Sequence, residues 1–133
     1  MEKSPSDRLI DQRIRNRIME ELSILARGQS ELQEMGWEYL LCFLDWFPNA
    51  PELNPAVACM SDEERAAVAE VLKMVCRFAD EAKQGANTED LLRLQHAERI
   101  APVAARTLAL LNQRGRFNED DEEDEPSGGL QPI

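Results

Sequence analysis

The sequence is short of the residues that build catalytic and metal sites. It has one histidine, His96, and three cysteines, Cys42, Cys59 and Cys76, each 17 residues from the next. Zinc sites usually present ligands in close pairs such as C-x-x-C, because one turn must offer two donors to one ion, and no such pair occurs. No metal and no cofactor are expected. An odd cysteine count in a helix-rich chain does not suggest a disulfide framework either. With no second histidine, a catalytic triad would have to be assembled by the fold alone, and a structural place for His96 at a helix surface is the simpler reading. Long apolar runs are also missing. The longest, Tyr39 to Phe47, is interrupted by Asp45 and is far too short to span a bilayer. Met1 to Asp11 carry no apolar segment of secretory type. These absences lead to the expectation of a non-enzymatic, cytoplasmic protein without a membrane span.

Basic surface is scarce as well. The net charge is −11, and Glu119 to Glu125 supply seven acidic residues with no cation among them, which leaves −4 on residues 1–118. Neither part offers the basic stripe that nucleic-acid binding requires. The natural complement of such a surface is a basic protein. Twelve of the fifteen basic residues are arginine, a compositional hint of a GC-rich bacterial genome.

Apolar residues make up 43% of the 133, enough for one domain with a real core. Clusters of β-branched and aromatic strand formers are few, and Leu, Ala, Glu and Arg favour helix. Ser4, Pro5 and Asp7 read as a helix start, followed by Leu9, Ile10, Ile14, Ile18, Leu22 and Leu25 at spacings of three and four, with Gly28 as a stop. Ser30 and Gln33 open a second helix that ends before Pro48, with Gly36 weakening its middle. Phe47 to Met60, with Pro48, Pro51 and Pro55, reads as a long connecting loop, either a crossover or a functional segment. Ser61 and Glu64 form a capping box before the stripe Val68, Val71, Leu72, Val75, Phe78 and Ala82, which Gly85 closes. Asn87 or Thr88 starts a further helix, with a kink or break expected near Arg99 to Ala101 because of Pro102. The fold class is all-α, a single-domain bundle of four to five helices over residues 1–117. A disordered acidic tail is expected over 118–133.

The second helix carries the most informative pattern. At 100° per residue, Glu31, Glu34, Glu38 and Asp45 fall within about 60° of helix circumference. This narrow acidic stripe on an otherwise apolar helix reads as a solvent face or as a docking ridge for a basic partner. With Trp46 and Glu52 beside it, it forms the candidate partner-binding set. A ferritin-like di-metal site would need Glu-x-x-His pairs, and none occurs. Trp37 and Trp46 suit the core as well as an interface. Arg13, Arg15, Asn16 and Arg17 on the first helix read as a solvated face paired with Asp11, Glu20 and Glu21.

The stretch Asp7 to Leu22, DRLIDQRIRNRIMEEL, resembles the opening of small bacterial proteins of toxin–immunity type. The resemblance implies a small cytoplasmic domain that covers a toxin's active surface, and it assigns no residue a role. The expectation is therefore a protein-binding domain of immunity type, taking a basic partner such as a toxin. The alternative is a regulatory adaptor or chaperone-like helical protein that sequesters a partner helix in a groove.

Overall fold

The computed structural model describes residues 4–52, 58–83 and 86–127. Six helices and no strand lie among them: α1 Asp7–Leu25, α2 Gln29–Met35, α3 Glu38–Leu44, α4 Asp62–Ala82, α5 Thr88–Arg93 and α6 His96–Arg114. None is long and apolar enough to cross a membrane. The all-α class stands, with six helices where four to five are expected.

The extra helices come from two breaks. Gly36 (φ +59°) divides the expected second helix into α2 and α3. Its backbone angles suit a residue without Cβ, and a Cβ there would lie 3.0 Å from the Thr88 hydroxyl. Further along, the chain breaks at Leu94–Gln95, where Gln95 is left-handed (φ 62°), rather than at Arg99 to Ala101. Pro102 lies inside α6 on the solvent side, where water can satisfy the carbonyl that loses its amide partner.

Local chemistry sets the starts. Ser6, not Ser4, caps α1, its hydroxyl accepting from the Leu9 N–H at 3.1 Å. Ser61 and Glu64 form the expected capping box on α4. Asn87 caps α5 by accepting from the Asp90 N–H at 2.8 Å. The α4 helix ends at Ala82, with Lys83 at positive φ; the expected stop at Gly85 lies outside the described residues.

The apolar stripes meet in one core. Ile18, Met19, Leu22 and Leu25 of α1 join Leu40 and Phe43 of α3, Val71, Val75 and Phe78 of α4, and Ile100, Ala104 and Leu111 of α6. Full burial of a side chain of this size stabilises by about 1.5–3 kcal/mol. Helix α1 packs against α3 and α6, α4 against α3 and α6, and α2 against α5. Trp37 and Trp46 are half-buried against this core. Ile10, expected on the buried face, is 39% exposed.

One expectation about polar segments is corrected and another is met in part. Arg15 and Asn16, expected on a solvated face, are fully buried, as is Gln12 beside them. As expected, the described part of the tail has no helix or strand, yet residues 118–124 are held along α1 by hydrogen bonds with its polar side chains. Phe117 makes this possible. It is fully buried and lies under the guanidinium groups of Arg8 and Arg15, each 5.3 Å from its ring centre. The remainder of the expected tail, 128–133, lies outside the described residues.

Candidate functional site

The break at Gly36 separates the expected acidic ridge into pieces. Glu31 and Glu34 belong to α2 and Glu38 to α3, Asp45 is the residue that ends α3, and Glu52 lies in the loop beyond. One continuous stripe therefore does not form. Glu31 is half-buried and pairs with Arg27 at 3.3 Å. Glu34, Glu38, Asp45 and Glu52 are exposed, while Trp46 is turned partly into the core.

Packing of α3 on α1 builds a different acidic group. Glu38 of α3 accepts from the Cys42 thiol at 3.8 Å, and Glu21 of α1 and Asp45, which ends α3, lie near enough to act on that thiol through their charge. Burial pushes the Cys42 thiol up, and these three carboxylates push it further. Burial also raises the Glu21 carboxyl, aided by Glu20 and Asp45. No Lys or Arg among the described residues forms an ion pair with Glu21, Glu38 or Asp45. The pattern of the second helix found Glu38 and Asp45. It missed Glu21, whose charge belongs to this face only because two helices dock.

Arg15 and Arg17 of α1, in contrast, are paired with carboxylates. Glu20 binds Arg17 at 2.6 Å and Arg116 at 3.2 Å, and Glu119 of the tail binds Arg17 at 2.5 Å. Below them, Glu64 accepts from Arg15 at 2.9 Å and from Arg114 at 2.6 Å. Burial pushes the Glu64 carboxyl up, but hydrogen bonds from Arg114, Arg15 and the Ser61 N–H outweigh it and hold the group below the usual range. This cluster ties α1, α4 and α6 together and is closed to solvent at its centre.

His96 is buried rather than on a helix surface. Its ring stacks on Phe78, with centroids 4.8 Å apart. Nε2 lies 2.7 Å from a Glu81 oxygen, and Arg99 approaches Nδ1 at 3.4 Å. These contacts suit a proton on Nε2 and a lone pair on Nδ1. A 330 Å³ concavity lined by Met74, Arg77, Glu81, His96 and Arg99 opens here. The thiol in the neighbouring 530 Å³ concavity is Cys76, which burial and Asp80 push up, the reverse of an activated nucleophile. Burial likewise raises Cys59, outweighing the pull of Arg8. Among the described residues, no three His, Cys, Asp or Glu side chains converge in a way that could hold a metal ion. Compared with known protein families, characterised proteins and solved structures, the chain shows no significant match.

Proposed function

We propose that this chain is a non-catalytic protein-binding domain that engages a basic protein through the acidic face of α1 and α3. The observation that carries the reading is that Glu21, Glu38 and Asp45 all act on the Cys42 thiol, Glu38 in contact with it at 3.8 Å, while none of the three has a paired cation among the described residues. Like charges near one another cost stability, and a fold that pairs Arg15 and Arg17 of α1 with carboxylates leaves these three without a cation. Such a local conflict is what a docking surface requires: a cationic partner relieves the repulsion, and the field speeds encounter. Glu34 and Glu52, both exposed, add to the negative surface.

In biological terms the proposal is a bacterial, cytoplasmic protein of immunity type that covers the basic surface of a toxin. The adaptor reading, which needs an apolar groove for a partner helix, is less favoured. Ile10 is the only large hydrophobic side chain exposed among the described residues.

The test is capture of the product of an adjacent gene by purified protein, followed by binding kinetics at two salt concentrations. The Glu38→Lys/Asp45→Lys double variant should keep its helical circular dichroism and associate at least tenfold more slowly, with a weaker salt dependence. Equal association by the folded double variant would show that this face is only solvated.

A further inference from the structure

We propose that the polar face of α1 is a binding site for a bent acidic segment of a partner protein, and that this chain's own residues 118–125, which turn at Asn118, occupy it in cis. The site is built for peptide. Gln12, fully buried, donates from Nε2 to the carbonyls of Asn118 and Asp121, both at 2.9 Å, and accepts at Oε1 from the N–H of Glu123 at 2.7 Å. Arg8, one turn before it, donates to the carbonyls of Glu123 and Asp124 at 2.6 and 3.2 Å. Arg13 donates to the carbonyl of Glu119 at 2.8 Å. These contacts read main chain. Charge is read at the two ends, where Arg17 takes the Glu119 carboxylate at 2.5 and 2.6 Å and Arg114 takes that of Glu125 at 2.7 Å.

The mix of donors and acceptors decides the class of ligand. A nucleic-acid backbone offers phosphate acceptors to the arginines but no amide N–H for the buried Oε1 of Gln12. That acceptor would be left without its partner, which weakens binding. An acidic peptide that bends as residues 118–125 do satisfies both demands.

The occupant is anchored at one end and loosely held along the rest. Phe117 is fully buried, and Asn16 clamps it by donating to its carbonyl at 2.9 Å and accepting from its N–H at 3.1 Å. No residue from 118 to 127 is buried. The ion pairs are partly solvated, with Arg17 and Glu119 34% and 26% exposed and Arg114 and Glu125 28% and 74%. Such partly solvated pairs contribute little each and weaken with salt. A tethered segment nevertheless acts at an effective concentration of about 1 mM, so it masks the site against weaker ligands in trans.

The experiment removes the tail after Asn118 and adds a fluorescein-labelled peptide of residues 119–133, with binding read by fluorescence anisotropy at low and high salt. The truncated chain should bind the peptide, salt should weaken binding, and the full chain should bind at least tenfold more weakly. Gln12→Leu in the truncated chain should weaken binding at least tenfold. A single-stranded oligonucleotide of equal charge should bind less tightly than the peptide. Equal binding by full and truncated chains, binding by neither, or preference for the oligonucleotide would each overturn the proposal. So would a full-length dimer that becomes monomeric on truncation, since the site would then serve tail exchange between copies. Should truncation unfold the protein, the full-length Glu119→Gln/Glu125→Gln variant carries the test. It should take up the peptide at least threefold more tightly than the unaltered chain, and no gain would refute the site.

Discussion

Arg15 donates to Glu64 across 2.9 Å in a contact closed on both sides, with 0% and 2% of the two side chains exposed. Arg114 reaches the other oxygen of the same carboxylate at 2.6 Å. One residue at the start of α4 thus caps its own helix and joins α1 to α6. Replacing Glu64 with Leu should destabilise the protein by about 3–5 kcal/mol, because it leaves the Arg15 guanidinium buried without its counterion. Arg15→Met should cost less, since Glu64 keeps Arg114 and the Ser61 N–H. Urea unfolding of the two variants checks the order, and a larger loss for Arg15→Met would contradict it.

The same carboxylate gives the stability a defined acid limb. The folded-state pKa of Glu64 lies below its ordinary value of 4.5, so its contribution is fully present above pH 4.5 and is lost as pH falls through the depressed folded value. Glu21 and Asp11, both raised first by burial, act in the opposite sense, since protonation favours the fold there. Comparing the pH dependence of unfolding in the unaltered chain and in Glu64→Gln isolates the Glu64 part. The variant should show the shallower loss below pH 4.5. Parallel curves would mean that the group titrates alike in folded and unfolded chains.

Phe117 and the residues after it should behave differently. Phe117→Ala empties a buried site beneath Arg8, Arg15 and Arg114 and should cost about 3 kcal/mol or more. Truncation after Asn118 removes only partly solvated polar contacts and should cost about 1–2 kcal/mol, more at low salt than at high. Thermal melts at two ionic strengths distinguish the two, and equal losses would mean that the acidic segment is as structural as its aromatic anchor.

Gly36→Ala should destabilise by about 1–3 kcal/mol. The backbone there has φ +59° and ψ −135°, and the added methyl would press on Thr88 of α5 at 3.0 Å. A neutral result in chemical denaturation would show that α2 and α3 can join into one helix.

Cys42 reports on the acidic face. Burial and then Glu21, Glu38 and Asp45 raise its thiol, so little thiolate forms near neutrality. Asp45→Asn should speed alkylation of Cys42 by iodoacetamide at mildly alkaline pH, followed peptide by peptide in the mass spectrometer. An unchanged rate would mean that Asp45 does not share the field of this cluster.

The helical class, the capping box at Ser61 and Glu64, and the apolar stripe of α4 were legible in the sequence because each is a local pattern. A cap spans four residues, and an apolar repeat names its own buried face. The acidic candidates were legible only in part. Glu34, Glu38, Asp45 and Glu52 are exposed, but Gly36 stood as a weak point in one helix, whereas its backbone angles make it the boundary between two.

What only the tertiary structure decided concerns the polar residues. Arg15 and Asn16 look like part of a solvated helix face, since each is polar and their burial, like that of Gln12, depends on partners about 50 to 110 residues away. The run Glu119 to Glu125 reads as disordered because it has no apolar face of its own. Its place along α1 comes from arginines and amides at the other end of the chain and from the burial of Phe117. Hydrophobic periodicity determines a helix from within. A polar group is buried or bare according to whether a distant partner satisfies it, and that information exists only once the chain has closed on itself.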